Sequence, residues 1–251
     1  MKKIIRDLYV ELEKQKTEII KKVSLDSNID KSFLEKEFED SLLALKGLPI
    51  QTNKLLKTER VFVPNYNKKA IISRIPKGNV LQILPATTPI LSCILLPLCA
   101  AIIGNKVVVK PSSKSKSIAL FLKKFFKKRN IKSIQFEIGS GKEFLYKILK
   151  MNYDFVFFMG SEENGKEIEE YCHKREIEYS GEYGGNDWAI IFDGNMQIIT
   201  NKIAENVMFK EGKDCDSIKG VLINSKIYKE FLDLLKRDLN GIEIREALRE
   251  I

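Results

Sequence analysis

From residue 80 onward, short apolar runs alternate with helix-like segments, and no other feature narrows the fold as much. VLQIL (80–84), KVVVK (106–110), SIQFEI (133–138) and DFVFFM (154–159) are each followed by a helical pattern, over 90–103, 115–129, 142–150 and 162–174. Further strands are expected at 176–180, 187–192 and 220–224, with helices at 196–209 and 226–239. Near-continuous apolar strands separated by helices predict an α/β fold: a parallel sheet with helices on both faces. Ligands in such sheets bind beyond the carboxyl ends of the strands. The loops PATTP, KPSSKS, GSGK, MGSEENG and SGEYGGND each follow a strand and are the places to look.

Ahead of this pattern, apolar residues recur at helical spacing over 2–23 and again over about 31–46, the second helix expected to end at Gly47 and Pro49. ERVFVPNYNKKAIISRI then predicts a β-hairpin around a Pro-Asn-Tyr-Asn turn. The chain divides, on this reading, into N-terminal helices (1–58), a nucleotide-binding α/β domain (59–185) and a partial further domain (186–251).

The 23 residues from Leu81 to Ile103 carry no charge and are long enough to cross a bilayer. Pro85, Pro89 and Pro97 count against that reading, since Pro89 and Pro97 would each break the hydrogen-bond ladder of a single spanning helix. A buried strand, a turn and a buried helix are expected instead, with no membrane span. The N-terminus lacks the apolar stretch of a signal peptide, and the four cysteines show no paired spacing; a reducing cytoplasm is the expected compartment.

The chain carries 43 Lys+Arg against 34 Asp+Glu, a net charge of +9. The excess is local: Arg60 to Phe136 holds 15 cations and no Asp or Glu, leaving 28 cations and 34 acids elsewhere. Lys-rich composition is the bland account. An anionic ligand handled by this third of the chain is the sharper one. Without stacking aromatics or a nucleic-acid module, no nucleic-acid partner is expected.

Three loops hold candidate binding groups. Lys110 ends a strand, with Ser112 and Ser113 just beyond; these suit a ribose or phosphate, or simply cap the next helix. Gly160 and Ser161 open another helix, and Gly139 lies in GSGK. None of these matches the GxGxxG or Walker patterns.

The sharpest candidate is Cys215 in 209-FKEGKDCDSIKG-220. It sits in a polar turn, whereas Cys93, Cys99 and Cys172 lie on apolar helix faces and are expected to be packing residues. A thiolate needs backbone N–H groups or a nearby cation; Lys213 offers one, and Asp214 and Asp216 oppose it. His173, the sole histidine, stands in a charged helix, so neither a Cys/His dyad nor a zinc site is expected, and no metal centre at all.

In this order the pieces resemble the aldehyde dehydrogenase superfamily. Its P-x-N-x-P turn, V-V-x-K-P strand end, F-x-G-S loop, E-x-G-G turn and F-x-x-G-Q-x-C turn are matched by 85-PATTP-89, 107-VVVKPSS-113, 158-FMGS-161, 182-EYGG-185 and 209-FKEGKDC-215. The intervals from Thr87 to Lys110, Ser161, Glu182 and Cys215 also fit, over about residues 60–240. The resemblance implies a Rossmann-like cofactor domain and a dehydrogenase or, given the short N-terminal helices, the acyl-CoA reductase branch that includes the fatty-acid reductase of bacterial luminescence. It makes Cys215 the nucleophile toward an aldehyde or thioester, Glu182 the general base and Lys110 a contact to the adenine ribose. It puts Gly160 and Ser161 beside the cofactor pyrophosphate, with Gly139 and Gly184 in flanking turns. Ser113 stands where the family commonly has the Glu that selects NAD; with Lys114 and Lys116 beside it, NADP is expected over NAD.

Thr87 replaces the oxyanion-donating Asn, Lys213 replaces Gln, and Asn186 replaces Lys. Nothing after Cys215 resembles the family's second carboxylate motif. The expectation is a nearly whole cofactor domain with a partial catalytic one: half of a split enzyme, a shortened paralogue or a fragment. Partners implied are an acyl-CoA or aldehyde substrate and either a second copy, through a hairpin arm at 60–75, or a chain supplying the rest of the catalytic domain. The contrasting expectation is a non-catalytic module that binds nucleotide or a partner enzyme.

Overall fold

The structure is a computed structural model and describes residues 2–212 and 214–240. It resolves into two compact units, Met1–Tyr183 and Gly184–Ile251.

Unit 1 opens with two long helices, α1 (Lys2–Ser27) and α2 (Lys31–Leu55), joined by a tight turn in which Asn28 takes a left-handed backbone. Asp30 caps α2 by accepting from the Ser32 amide. The hairpin follows as expected: β1 (Glu59–Val63) and β2 (Lys68–Ile72) pair antiparallel, and Asn67 closes the turn at φ 49°. Arg74 pins its base, donating to the Leu55 carbonyl and to Glu59.

Five parallel strands then form one sheet. They are β3 (Asn79–Ile83), β4 (Lys106–Lys110), β5 (Ile134–Phe136), β6 (Phe155–Met159) and β7 (Glu178–Glu182), in the spatial order β5-β4-β3-β6-β7. The order reverses direction between β3 and β6, the switch point at which open α/β sheets bind ligands. Intervening helices are α3 (Pro89–Ile102), α4 (Lys116–Lys128), α5 (Lys142–Leu149) and α6 (Glu162–His173).

Alternation along each strand sends side chains to opposite faces. Leu84, Val107, Val109, Ile134 and Phe136 pack with α1 to α4 in one core. Leu81, Ile83, Val156 and Phe158 pack with α5 and α6 in a second. The alternating pattern is thus that of a sheet covered on both faces.

Unit 2 is smaller. β8 (Asp187–Ile191) and β9 (Ile218–Ile223) form a separate two-stranded parallel sheet; α7 (Met196–Met208) and α8 (Tyr228–Asp238) lie against it. Ala189, Ile191, Val221 and Ile223 face that helical layer, around Met196, Ile203 and Phe231. The other sheet face shows Trp188, Ile190, Phe192 and Leu222 to solvent.

Three expectations need revision. The second helix does not stop at Gly47 and Pro49 but continues to Leu55, because Leu45, Leu48 and Thr52 keep its buried stripe in register and the Thr52 hydroxyl donates to the Leu48 carbonyl. The N-terminal helices are not set apart at residue 58, since they share a core with the sheet, and the second division falls at 183/184. Cys99 is exposed rather than packed away, unlike Cys93 and Cys172. Among the described residues no helix is long and apolar enough to cross a membrane. The helix-like segment expected after residue 240 lies outside the described residues.

Candidate active site

The carboxyl ends of β3, β4, β5, β6 and β7 carry the loops singled out above. Two of the helices that start there are already closed by carboxylates from the N-terminal pair. Glu37, buried on α2, accepts from the amides of Ile90 (2.9 Å) and Leu91 (2.8 Å) at the start of α3. Asp26, on α1, accepts from the Ser117 amide at the start of α4 (2.6 Å). Helix starts present unpaired N–H groups and a positive dipole end, so each carboxylate occupies a ready anion site. The cationic start of α4, read from sequence as a phosphate seat, is therefore at least partly filled from within.

The start of α6 differs. Its N-cap residue, Ser161, makes no side-chain cap; its hydroxyl instead accepts from Asn164 at 2.8 Å. Gly160 precedes it and donates its amide to the Glu182 carbonyl (3.1 Å), tying the end of β6 to the end of β7. Glu162 in the first turn is matched by Lys166 at 2.6 Å, which lowers the Glu162 pKa through that hydrogen bond and limits the opposition its charge offers to an incoming anion.

At the end of β4, Lys110 is half-buried, and loss of water around its amine pulls its pKa down. Ser112 spends its hydroxyl as a cap on the Lys114 amide (3.2 Å), the plain role weighed for it from sequence. Ser113 is exposed in the 3-10 turn Ser113–Ser115, beside Lys114 and Lys116. Gly139 sits after β5, where a Cβ would meet the Phe144 ring at 2.6 Å. Thr87 and Thr88 are half-exposed just ahead of α3, and the Thr88 carbonyl accepts from both the amide and the hydroxyl of Ser92. The sheet thus brings Thr87, Lys110, Ser112, Ser113, Gly139, Gly160, Ser161 and Glu182 to the same set of strand ends. Glu182 ends β7 with its side chain exposed.

In unit 2, Cys215 is exposed on the turn before β9. Gly184 and Gly185 open the unit. Gly184 has open space around it, whereas a Cβ on Gly185 would lie 1.9 Å from the Cys215 carbonyl oxygen. Only glycine lets the two turns meet so closely, so the second glycine of E-x-G-G is a packing requirement of the Cys215 turn. Asn206 braces the same turn from α7, donating to the Asp216 carbonyl and accepting from the Ile218 amide at 2.7 Å. Lys219 donates to the Gly212 carbonyl at 2.6 Å. Lys213, the cation expected beside the thiol, lies outside the described residues. Asp214, Cys215 and Asp216 keep their donor atoms within 4.8 Å of one another, as three consecutive residues on a surface turn.

Of the remaining thiols, Cys93 and Cys172 are held protonated by burial. Desolvation pushes Cys93 up to about 12 and Cys172 up to about 11, and raises Cys99 as well. Sequence reasoning missed Asp26 and Glu37: single carboxylates on exposed-looking helical patterns give no sign that they reach 91 and 53 residues ahead.

A nicotinamide dinucleotide is compatible with this arrangement. The switch point, the uncapped start of α6 and the lysine at the end of β4 are the features that such a group would use. Unit 1 is thus an α/β domain with its candidate groups at the strand ends, and unit 2 carries an exposed thiol against a glycine turn. The aldehyde dehydrogenase family profile matches residues 2–250, and the chain belongs to that family, whose members use nicotinamide cofactors.

Among curated relatives, 4,4'-diaponeurosporen-aldehyde dehydrogenase of Staphylococcus aureus is 25% identical over 223 residues, covering 86% of this chain and 48% of its own length. The chain thus spans about half the length of the curated relatives it matches. Solved structures share the fold. Succinic semialdehyde dehydrogenase from Streptococcus pyogenes, in complex with NADP+, superposes with a TM-score of 0.84 at 19% identity, covering 96% of this chain and 53% of that one. An NAD-dependent benzaldehyde dehydrogenase from Corynebacterium glutamicum gives 0.82 at 21% identity, covering 96% and 54%.

Proposed function

We propose that this chain forms the cofactor-binding part and nucleophile turn of an NADP-dependent oxidoreductase that acts on an aldehyde or an acyl-CoA through Cys215. The observation that carries the reading is the backbone contact of Gly185 with the Cys215 carbonyl. A generic surface cysteine needs no glycine cut to its turn, and Glu182 stands only three residues before that glycine in the chain.

In this reading the Cys215 sulfur, as thiolate, adds to the carbonyl carbon and leaves a tetrahedral oxyanion. The Thr87 hydroxyl donates to that oxyanion, less firmly fixed than an amide side chain. Losing one good oxyanion donor slows such reactions by about 10²–10³-fold, so slow turnover is expected. Glu182 takes the thiol proton or that of the attacking water. The bound nicotinamide supplies the two-electron acceptor or donor. Lys110 and Ser113 face the adenosine ribose, and the exposed Lys114 and Lys116 supply positive charge for a 2′-phosphate against the single carboxylate of Asp26 at the Ser117 amide, which favours NADP over NAD. Gly160, Ser161 and the start of α6 hold the pyrophosphate, Gly139 borders the adenosine and Gly184 the reacting end.

The partners follow from exposed apolar surface. The hairpin arm shows Phe62, Tyr66 and Ile71 to solvent, as an arm that joins two copies would. The open face of the β8–β9 sheet suits a polypeptide that completes the catalytic domain, because parallel sheets are ordinarily covered on both sides.

The test is thiol reactivity. Iodoacetamide should label Cys215 ahead of Cys93, Cys99 and Cys172, NADP should change that rate more than NAD does, and Glu182→Gln should slow it. Sluggish labelling of Cys215 that ignores both nucleotides would leave the non-catalytic module instead.

A further inference from the structure

The turn after β4, read above as the seat of the adenosine ribose, is held by a residue far from it in sequence. No Asp or Glu occurs between Arg60 and Phe136, so the segment from Lys110 to Lys128 brings no acid of its own. Helix α1 brings one. It packs against the 3-10 turn Ser113–Ser115, and the Asp26 carboxylate accepts from the Ser117 amide at 2.6 Å. Ser115 is the N-cap residue of α4, yet its side chain is buried and makes no cap. Asp26 thus takes the place of a local cap, and it sets a negative charge at the turn where Lys114 and Lys116 are exposed.

The hydrogen bond and the charge act differently on a bound nucleotide. The bond fixes the turn for any adenosine. The charge repels a 2′-phosphate and tolerates a 2′-hydroxyl. We propose that Asp26 is a specificity-determining residue: its charge limits the preference for NADP over NAD, while its hydrogen bond holds the turn for both. This role rests on the cofactor reading proposed above. Glu137, the next acid along the chain, follows β5 and lies near Tyr153 in the core of the other sheet face.

The probes are 2′,5′-ADP and 5′-AMP, which differ only in the 2′-phosphate, with binding to the full chain read by calorimetry. Asp26→Asn keeps an acceptor for the Ser117 amide and removes the charge. It should tighten 2′,5′-ADP by roughly tenfold at low salt and leave 5′-AMP within about twofold. That gain should shrink at about 0.5 M salt, as a through-space charge effect does. Asp26→Ala, which also removes the acceptor, should weaken 5′-AMP and speed hydrogen exchange at the Ser117 amide. Lys116→Gln should weaken 2′,5′-ADP alone, and Asp26→Asn should offset that loss in the double variant, so a folding defect in one variant would not decide the matter. An affinity ratio that Asp26→Asn leaves unchanged, or an equal gain from Glu137→Gln, would overturn this role and leave the cofactor reading standing. Failure of the unaltered chain to bind either probe at millimolar concentration would overturn that reading, and this role with it.

Discussion

Unit 1 and unit 2 use the same grammar, parallel strands with helices, and end in different states. In unit 1 the five-stranded sheet has helices against both faces, and Leu81 and Val109 at its centre are sealed from water. In unit 2 two strands are covered on one face only. On the other, Trp188 is 52% exposed and Phe192 75%, and the Trp188 ring fills the space over Gly220, where a Cβ would meet it at 2.5 Å. The difference shows that strand-helix alternation alone does not make a closed core; strand number does. A two-stranded parallel sheet has no interior strand, so half of its apolar residues have nothing to pack against.

The contrast can be broken most sharply with thiols. Two of those in unit 1, Cys93 and Cys172, are buried, whereas the unit 2 thiol, Cys215, is exposed. Burial raises the pKa of Cys172 to about 11, so it stays protonated below that pH and gains thiolate about tenfold per pH unit up to it. At pH 8 its thiolate fraction is about 0.1%, and labelling of Cys93 and Cys172 should trail Cys215 by about 10²-fold or more; comparable rates by mass spectrometry would show that unit 1 is not closed. Next in size, Phe38→Ala opens a cavity in the unit 1 core and should cost about 3–5 kcal/mol in denaturant unfolding. Glu37→Ala strips the acceptor from two amides at the start of α3 and should cost about 1–3 kcal/mol, with faster hydrogen exchange at Ile90 and Leu91. Smallest of all, Phe192→Ser on the open face of unit 2 should change stability by no more than about 0.5 kcal/mol while reducing self-association in sedimentation. A large loss there would mean that the face is already packed in the lone chain.

Four strands of the main sheet were readable because each is an apolar run rich in β-branched or aromatic residues, and the hairpin because Pro64 and Asn67 mark its turn; β7, EYSGE, has no such run, and it lies at 178–182 instead of 176–180. The end of α2 was not, since Pro49 reads locally as a stop while the burial of Leu48 and Thr52 decides otherwise. The split of the strands into two sheets was equally hidden: KVVVK and DWAII look alike in sequence, and only pairing separates them. Around the candidate site, motif spacing picked out Glu182, Gly184 and Cys215; the glycine with a packing reason is the next one, Gly185, and that reason lies in one carbonyl oxygen thirty residues on. Asp26 and Glu37 were out of reach because what they do is decided by helices that the sequence places far away.

Those two carboxylates bind the first helical pair to the very segments that lead out of β3 and β4. Anyone grafting this cofactor fold into another protein must therefore carry the stretch from Asp26 to Glu37 with it. Left behind, it would strand two helix starts at the mouth of the sheet, and the Thr87 loop would lose its anchor without a single change in its own sequence.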